Sequence, residues 1–224
     1  MQTLSLIGYI HFIAGGITLV AGFTALFATK GSKLHRFFGR VFVGFMLALT
    51  ASGLLLSVQR DILFTVFLGL LTLYCFLTGW ASLSKWYMAK WVCRLSPIMA
   101  LTLCLGSVLG GIKAANSATG TLNDLPAGAF YFIAAVSFLC AVLDLSYWRK
   151  ATLSRKQQLI RHVWRMGFAL FLSASIFFFG NNHVIPEALR TPLILSIPVL
   201  LVVAVTSIYI FLLALRPKFT RFRY

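Results

Sequence analysis

Apolar residues run through this chain in long unbroken stretches, and short polar segments between them hold most of the charge. Several stretches reach the eighteen or so apolar residues that match the hydrocarbon thickness of a bilayer. They lack the every-other-residue alternation of a barrel strand. Only helices or closed barrels satisfy their backbone groups in lipid, so the pattern predicts membrane-spanning helices. Seven are expected, at about 4–28, 38–58, 62–83, 95–112, 127–145, 163–179 and 193–215. The predicted fold is therefore all-α, a single membrane bundle over residues 1–224 with no room for a soluble domain.

Composition agrees: 60% of residues are hydrophobic, 11% are charged and the mean hydropathy is +0.92. Those values exclude an ordinary soluble domain. A net charge of +16 would point to nucleic acid in a soluble protein, but here the positions of the charges argue otherwise. All of the 20 basic residues except Arg60, Lys113 and Arg190 fall on one set of connections. Lys and Arg mark the cytoplasmic side, which puts the N-terminus outside and the C-terminus in the cytoplasm. The five tryptophans (Trp80, Trp86, Trp91, Trp148, Trp164) collect at the same ends, as interfacial anchors do. The expected partners of the basic loops are anionic lipid headgroups, not nucleic acid. A homo-oligomer or a partner membrane protein is a further expectation.

No Lys or Arg precedes the first apolar run, so it reads as a permanent span and not as a cleaved signal. The four cysteines show no paired spacing and read as small apolar side chains. Short loops imply that sequential helices pack as neighbours. Gly106 and Gly110 would let the fourth helix approach others closely. Spans 1–3 and 5–7 run in the same directions around the fourth, a possible 3+1+3 arrangement over 1–84, 95–112 and 127–216.

The candidate chemistry lies where two spans begin alike. Leu34–Gly53 opens with His35, Arg36 and Arg40, and Arg161–Phe179 opens with Arg161, His162 and Arg165. Positions i and i+4 share a helix face, which pairs Arg36 with Arg40 and Arg161 with Arg165. The positive field of a helix start favours a neutral, ligating imidazole and also favours an anion. Of four acids, Asp61, Asp124 and Glu187 belong to exterior loops, and Asp144 alone lies within a span. An ionisable group there needs a partner, for which Arg40 and Arg165 are at a suitable depth. On the opposite side, His11 lies inside the first span and could pair with His183, although Asn-Asn-His before Pro186 has turn composition. No phosphate loop, HExxH, CxxC or GxSxG motif is present.

With His35-Arg36-x-x-Gly39-Arg40 and His162-x-Trp164-x-Met166 in view, the chain resembles a bacterial multi-span membrane family defined as a domain of unknown function. That family starts one helix with HRxxGR and another with HxxWMxRS. The first motif matches well. In the second, Trp164 falls one place early and Arg165 precedes Met166. The resemblance implies a bacterial inner-membrane location and no particular activity.

Three functions are weighed. Two histidines on facing helices suit low-spin haem b, with His35 and His162 as iron ligands, Arg40 and Arg165 on the propionates, and Asp144 and His11 as accessory positions. This electron-transfer reading leads, because it uses both histidines. The alternatives are a small-solute transporter, and a non-catalytic component that binds an anionic ligand, lipid or partner protein. Against the transporter, Pro97 is expected to start its helix, so few helices are interrupted by proline.

Overall fold

The computed structural model describes residues 5–84, 87–149 and 153–215. Seven helices among them are long and apolar enough to cross a membrane. They are α1 (Leu6–Phe27), α2 (Lys33–Gln59), α3 (Leu63–Ala81), α4 (Ala89–Ala115), α5 (Ala127–Trp148), α6 (Arg155–Ser175) and α7 (Pro192–Leu215). Helix α6 runs on as a π-helical turn, Ile176–Gly180. Several predicted basic and aromatic positions (Lys85, Trp86, Lys150, Arg216, Lys218, Arg221 and Arg223) lie outside the described residues.

Hydropathy finds the apolar length of each helix and misses its polar start. Three helices begin five or more residues before the predicted span. Ser32 caps α2 by accepting the His35 backbone N–H at 3.1 Å. Ser154 caps α6 through a reciprocal box: its hydroxyl accepts the Gln157 N–H at 3.3 Å, and the Gln157 side chain accepts the Ser154 N–H at 3.0 Å. His35 is therefore in the first turn of α2 as expected, whereas His162 lies two turns into α6. These caps also occupy some of the N–H donors that were expected to attract an anion.

Helix α4 departs further, because Pro97 is inside it and not at its start. Proline has no N–H for the carbonyl four residues back. The Ser96 hydroxyl meets that need by donating to the Cys93 carbonyl at 2.9 Å.

Helix α3 is the centre of the bundle. It packs on α2, α4, α5 and α6, and its Leu71, Tyr74, Cys75 and Phe76 are fully buried. Glycine permits the close approach expected of α4: a Cβ added at Gly110 would lie 2.7 Å from the Phe130 ring of α5. Consecutive helices are neighbours except at one place. Helix α5 lies mainly along α4, while α6 lies along α3 and α7, so α5 and α6 meet chiefly through long side chains. The two triplets of the 3+1+3 scheme thus pack differently.

The connections with most of the lysines and arginines are gathered at one end, the basic end; Asp61, Asp124 and Glu187 lie in loops at the other, the acidic end. There a two-residue hairpin, β1 (Thr121–Leu122) and β2 (Leu125–Pro126), turns through Asn123 and Asp124, both at positive φ. Asn123 ties it to the α2–α3 turn, donating to the Asp61 carbonyl at 3.0 Å and accepting from the Leu63 N–H at 3.4 Å.

Candidate functional site

Three helices converge on Asp144, and a fourth joins them through an arginine. Asp144 lies one turn from the basic end of α5 and is 1% exposed, while Arg161 and Arg165 of α6 are 1% and 0% exposed. Both guanidinium groups donate to the same carboxylate oxygen, Oδ1, Arg165 at 2.7 Å and Arg161 at 3.1 Å. The other oxygen, Oδ2, accepts a short hydrogen bond from the Tyr74 hydroxyl of α3. Arg165 Nη1 also donates to Thr78 Oγ1 at 2.7 Å, and Thr78 in turn donates to the Tyr74 carbonyl at 2.6 Å. Arg161 Nη2 donates to Ser96 Oγ at 3.1 Å. The hydroxyl that makes good the proline break of α4 is thus an acceptor in the site.

Aromatic faces enclose the two cations. Arg165 lies 4.5 Å from the Trp164 ring centre and 4.6 Å from that of Tyr74, and Arg161 lies 5.3 Å from that of Tyr147. Space for Arg165 comes from Gly79 of α3, where an added Cβ would sit 2.9 Å from the arginine's own Cβ. Two cations against one carboxylate leave one positive charge in excess within the cluster. The Nε atoms of both arginines are buried with no hydrogen-bond partner. Unpaired charge and unbonded donors are costly in such surroundings.

Of the two predicted partners of Asp144, Arg165 is present and Arg40 is not. The buried face of α2 carries Phe42, Met46 and Thr50, and Arg40 precedes Phe42 by two residues, about 200° around the helix. Arg40 is accordingly exposed. Its Nε donates to the Arg36 carbonyl at 3.3 Å, and with Val41, Gly44, Phe45 and Ala48 it lines an open furrow of about 400 Å³. Arg161 was legible as the helical neighbour of Arg165. Tyr74, Thr78 and Ser96 carried no signal apart from being polar within apolar runs.

The histidines lie beside this cluster and outside its hydrogen bonds. His35 Nδ1 is 2.9 Å from the Ala25 carbonyl of α1, and His162 Nδ1 is 3.0 Å from the Gly79 carbonyl of α3. Since a carbonyl only accepts, each Nδ1 carries the proton and each neutral ring presents an unprotonated Nε2. That tautomer suits an iron ligand. Two turns further into the bundle, Phe42 and Leu170 close over Gly22 of α1, where an added Cβ would be 2.9 Å and 2.6 Å from them.

His11 and His183 share no hydrogen bond. His11 Nδ1 lies 3.1 Å from Ser52 Oγ of α2. His183 is exposed in a short 3-10 turn, Asn182–Val184, and its carbonyl accepts from Arg190 at 2.9 Å, in keeping with a loop role. Among the described residues no group of three or more His, Cys, Asp or Glu could hold a metal ion.

Compared with known proteins, the chain matches no family model, no curated protein and no solved structure.

Proposed function

We propose that this chain is a multi-pass membrane protein that binds a small singly charged anion at Arg161 and Arg165 and carries it across the bilayer. The observation that carries this reading is the buried excess of one positive charge, with two guanidinium N–H groups unpartnered beside it. Asp144 offsets one arginine, and a monoanion would offset the other. Ionisable groups within spans are rare and mark functional sites such as substrate or ion pathways. The interior position of Pro97 weakens the objection to a transporter, because a proline-containing helix supplies Ser96 to the site.

The charge distribution supports an orientation with the basic end and the C-terminus in the cytoplasm. The site would then open toward the cytoplasm, in a bacterial inner membrane if the HRxxGR likeness reflects descent. The basic loops would lie on anionic headgroups.

Purified protein in detergent should melt at a higher temperature as formate, acetate or nitrate replaces gluconate at constant ionic strength. A monoanion at ten times its Kd stabilises by about 1.4 kcal/mol. Arg161→Gln should lose most of the shift, and liposomes holding the wild-type protein should take up labelled anion faster than empty ones. Identical melting in every salt would overturn the binding reading. Binding without uptake would leave a receptor and remove the carrier.

A further inference from the structure

On the outer face of α2, a column of positive charge gives way to an open apolar furrow. Lys33, Arg36 and Arg40 are three and four residues apart, so they follow one line inward from the basic end. All three are exposed. Gly44 continues the line one turn past Arg40, and Ala48 lies one turn past Gly44. With Val41 and Phe45 they line the furrow of about 400 Å³. All of the lining residues belong to α2, so the furrow opens straight onto the bilayer. A Cβ added at Gly44 would meet nothing within 4 Å. Arg40 donates through Nε to the Arg36 carbonyl one turn back, which turns its side chain toward the basic end. Among the described residues its two Nη groups have no hydrogen-bond partner.

Two kinds of apolar occupant suit such a furrow: a helix packed on the small residues, or an acyl chain. Charge decides between them. A dimer with its two-fold axis along the bilayer normal sets the facing helix against its own copy. Packed in this way, α2 would oppose Arg40 to Arg40 at the membrane boundary, where like charges repel more strongly than in water. An anionic phospholipid complements the column instead, with charge at headgroup depth and hydrocarbon beneath.

We propose that α2 carries a site for one anionic glycerophospholipid, with its phosphate on Arg40 and Arg36 and one acyl chain along Gly44 and Ala48. The two Nη groups of Arg40 donate to two oxygens of the phosphate. Their back-turned side chain carries them to headgroup depth. Lys33, two turns nearer the basic end than Arg40, adds attraction for the headgroup's negative charge. From residue 40 to residue 48 the helix rises about 12 Å, and over that length the acyl chain lies against Val41 and Phe45. The general attraction of basic loops for anionic headgroups needs no furrow, whereas this site does. The inference stands whether or not the cluster around Asp144 binds an anion.

The test uses the intact protein in detergent, freed of co-purified lipid and titrated with phosphatidylglycerol or phosphatidylcholine of identical acyl chains. Native mass spectrometry counts the lipid bound. One phosphatidylglycerol should bind about tenfold more tightly than phosphatidylcholine, as a charge-assisted contact allows. Arg40→Gln should bring the two lipids to the same affinity. Gly44→Leu should weaken both by filling the furrow. Both positions are exposed, so both variants should fold. Arg60→Gln, which removes a cation at the acidic end of the same helix, should change neither affinity. Equal affinity for the two lipids in the wild type would overturn the proposal, as would a preference that survives Arg40→Gln. A preference indifferent to Gly44→Leu and competed away by inorganic phosphate would show an anion site without an acyl chain, and would overturn it too. A dimer that Gly44→Leu breaks, with no lipid preference, would put a second copy of the chain in the furrow instead.

Discussion

Arg165 reaches Asp144 at 2.7 Å from the next helix in the chain, although the backbones of α5 and α6 lie against other neighbours. The ion pair bridges a gap that the helices themselves do not close, and Arg161 adds a second strut to the same oxygen at 3.1 Å. Removing one member of a buried pair leaves its partner charged and unpaired, which costs more than the pair contributes net. Asp144→Ala should therefore lower stability in detergent by about 3 kcal/mol or more. The double variant Asp144→Ala with Arg165→Met should recover part of that loss. A neutral single variant in a chemical-denaturation series would show that the charges are hydrated and that the excess-charge argument fails.

Orientation can be checked without purification. Reporter fusions or cysteine labelling should place Asp124 and Glu187 outside and Arg94 and Arg155 in the cytoplasm. A cytoplasmic Glu187 would reverse the orientation or change the number of spans.

The haem alternative has a simple optical test. Where both imidazoles only hydrogen-bond the Ala25 and Gly79 carbonyls, protein purified from haem-replete cells should show no sharp α and β bands on reduction. A low-spin bis-histidine spectrum lost in both His35→Ala and His162→Ala would show that the two rings ligate iron. It would also restore the electron-transfer reading.

Lys30 supplies a dependence on pH. It lies between α1 and α2, half-buried, with its ammonium 4.3 Å from the Tyr209 ring centre and donating to the Ala25 carbonyl at 3.3 Å. Burial brings its pKa down from 10.5 to about 8. Between those two values the unfolded chain holds a proton that the folded chain has released. Stability should therefore rise with pH from about 8 to 10.5, and below 8 the penalty is present in full. The difference in stability between wild type and Lys30→Met, followed by denaturation across that range, should show this slope. A flat difference would mean that Lys30 stays solvated.

The seven helices and their apolar lengths were legible because hydropathy depends on local composition alone. Asp144 was legible for a related reason: one acid among apolar neighbours stands out wherever it points. Its pairing with Arg165 followed from depth, but depth could not separate Arg165 from Arg40, since that choice depends on helix rotation. Arg161 was legible as the neighbour of Arg165 but not as a partner of Asp144, because the predicted span began at residue 163. The cap at Ser154, two turns earlier, makes Arg161 interior. The roles of Tyr74 and Ser96 required the packing of α3 against α4, α5 and α6, which no local window contains.

Gly79 gives the site a vulnerability that none of its charged residues has. A methyl group there would press on Arg165, and the same residue's carbonyl holds His162. As the sequence drifts over generations, an arginine can be replaced by lysine and a serine by threonine with some of the chemistry kept. Gly79 has no such halfway substitute. Among descendants of this gene that keep the paired arginines, position 79 should vary less than the acid they bind, and a larger residue there should appear only where Arg165 has already been lost.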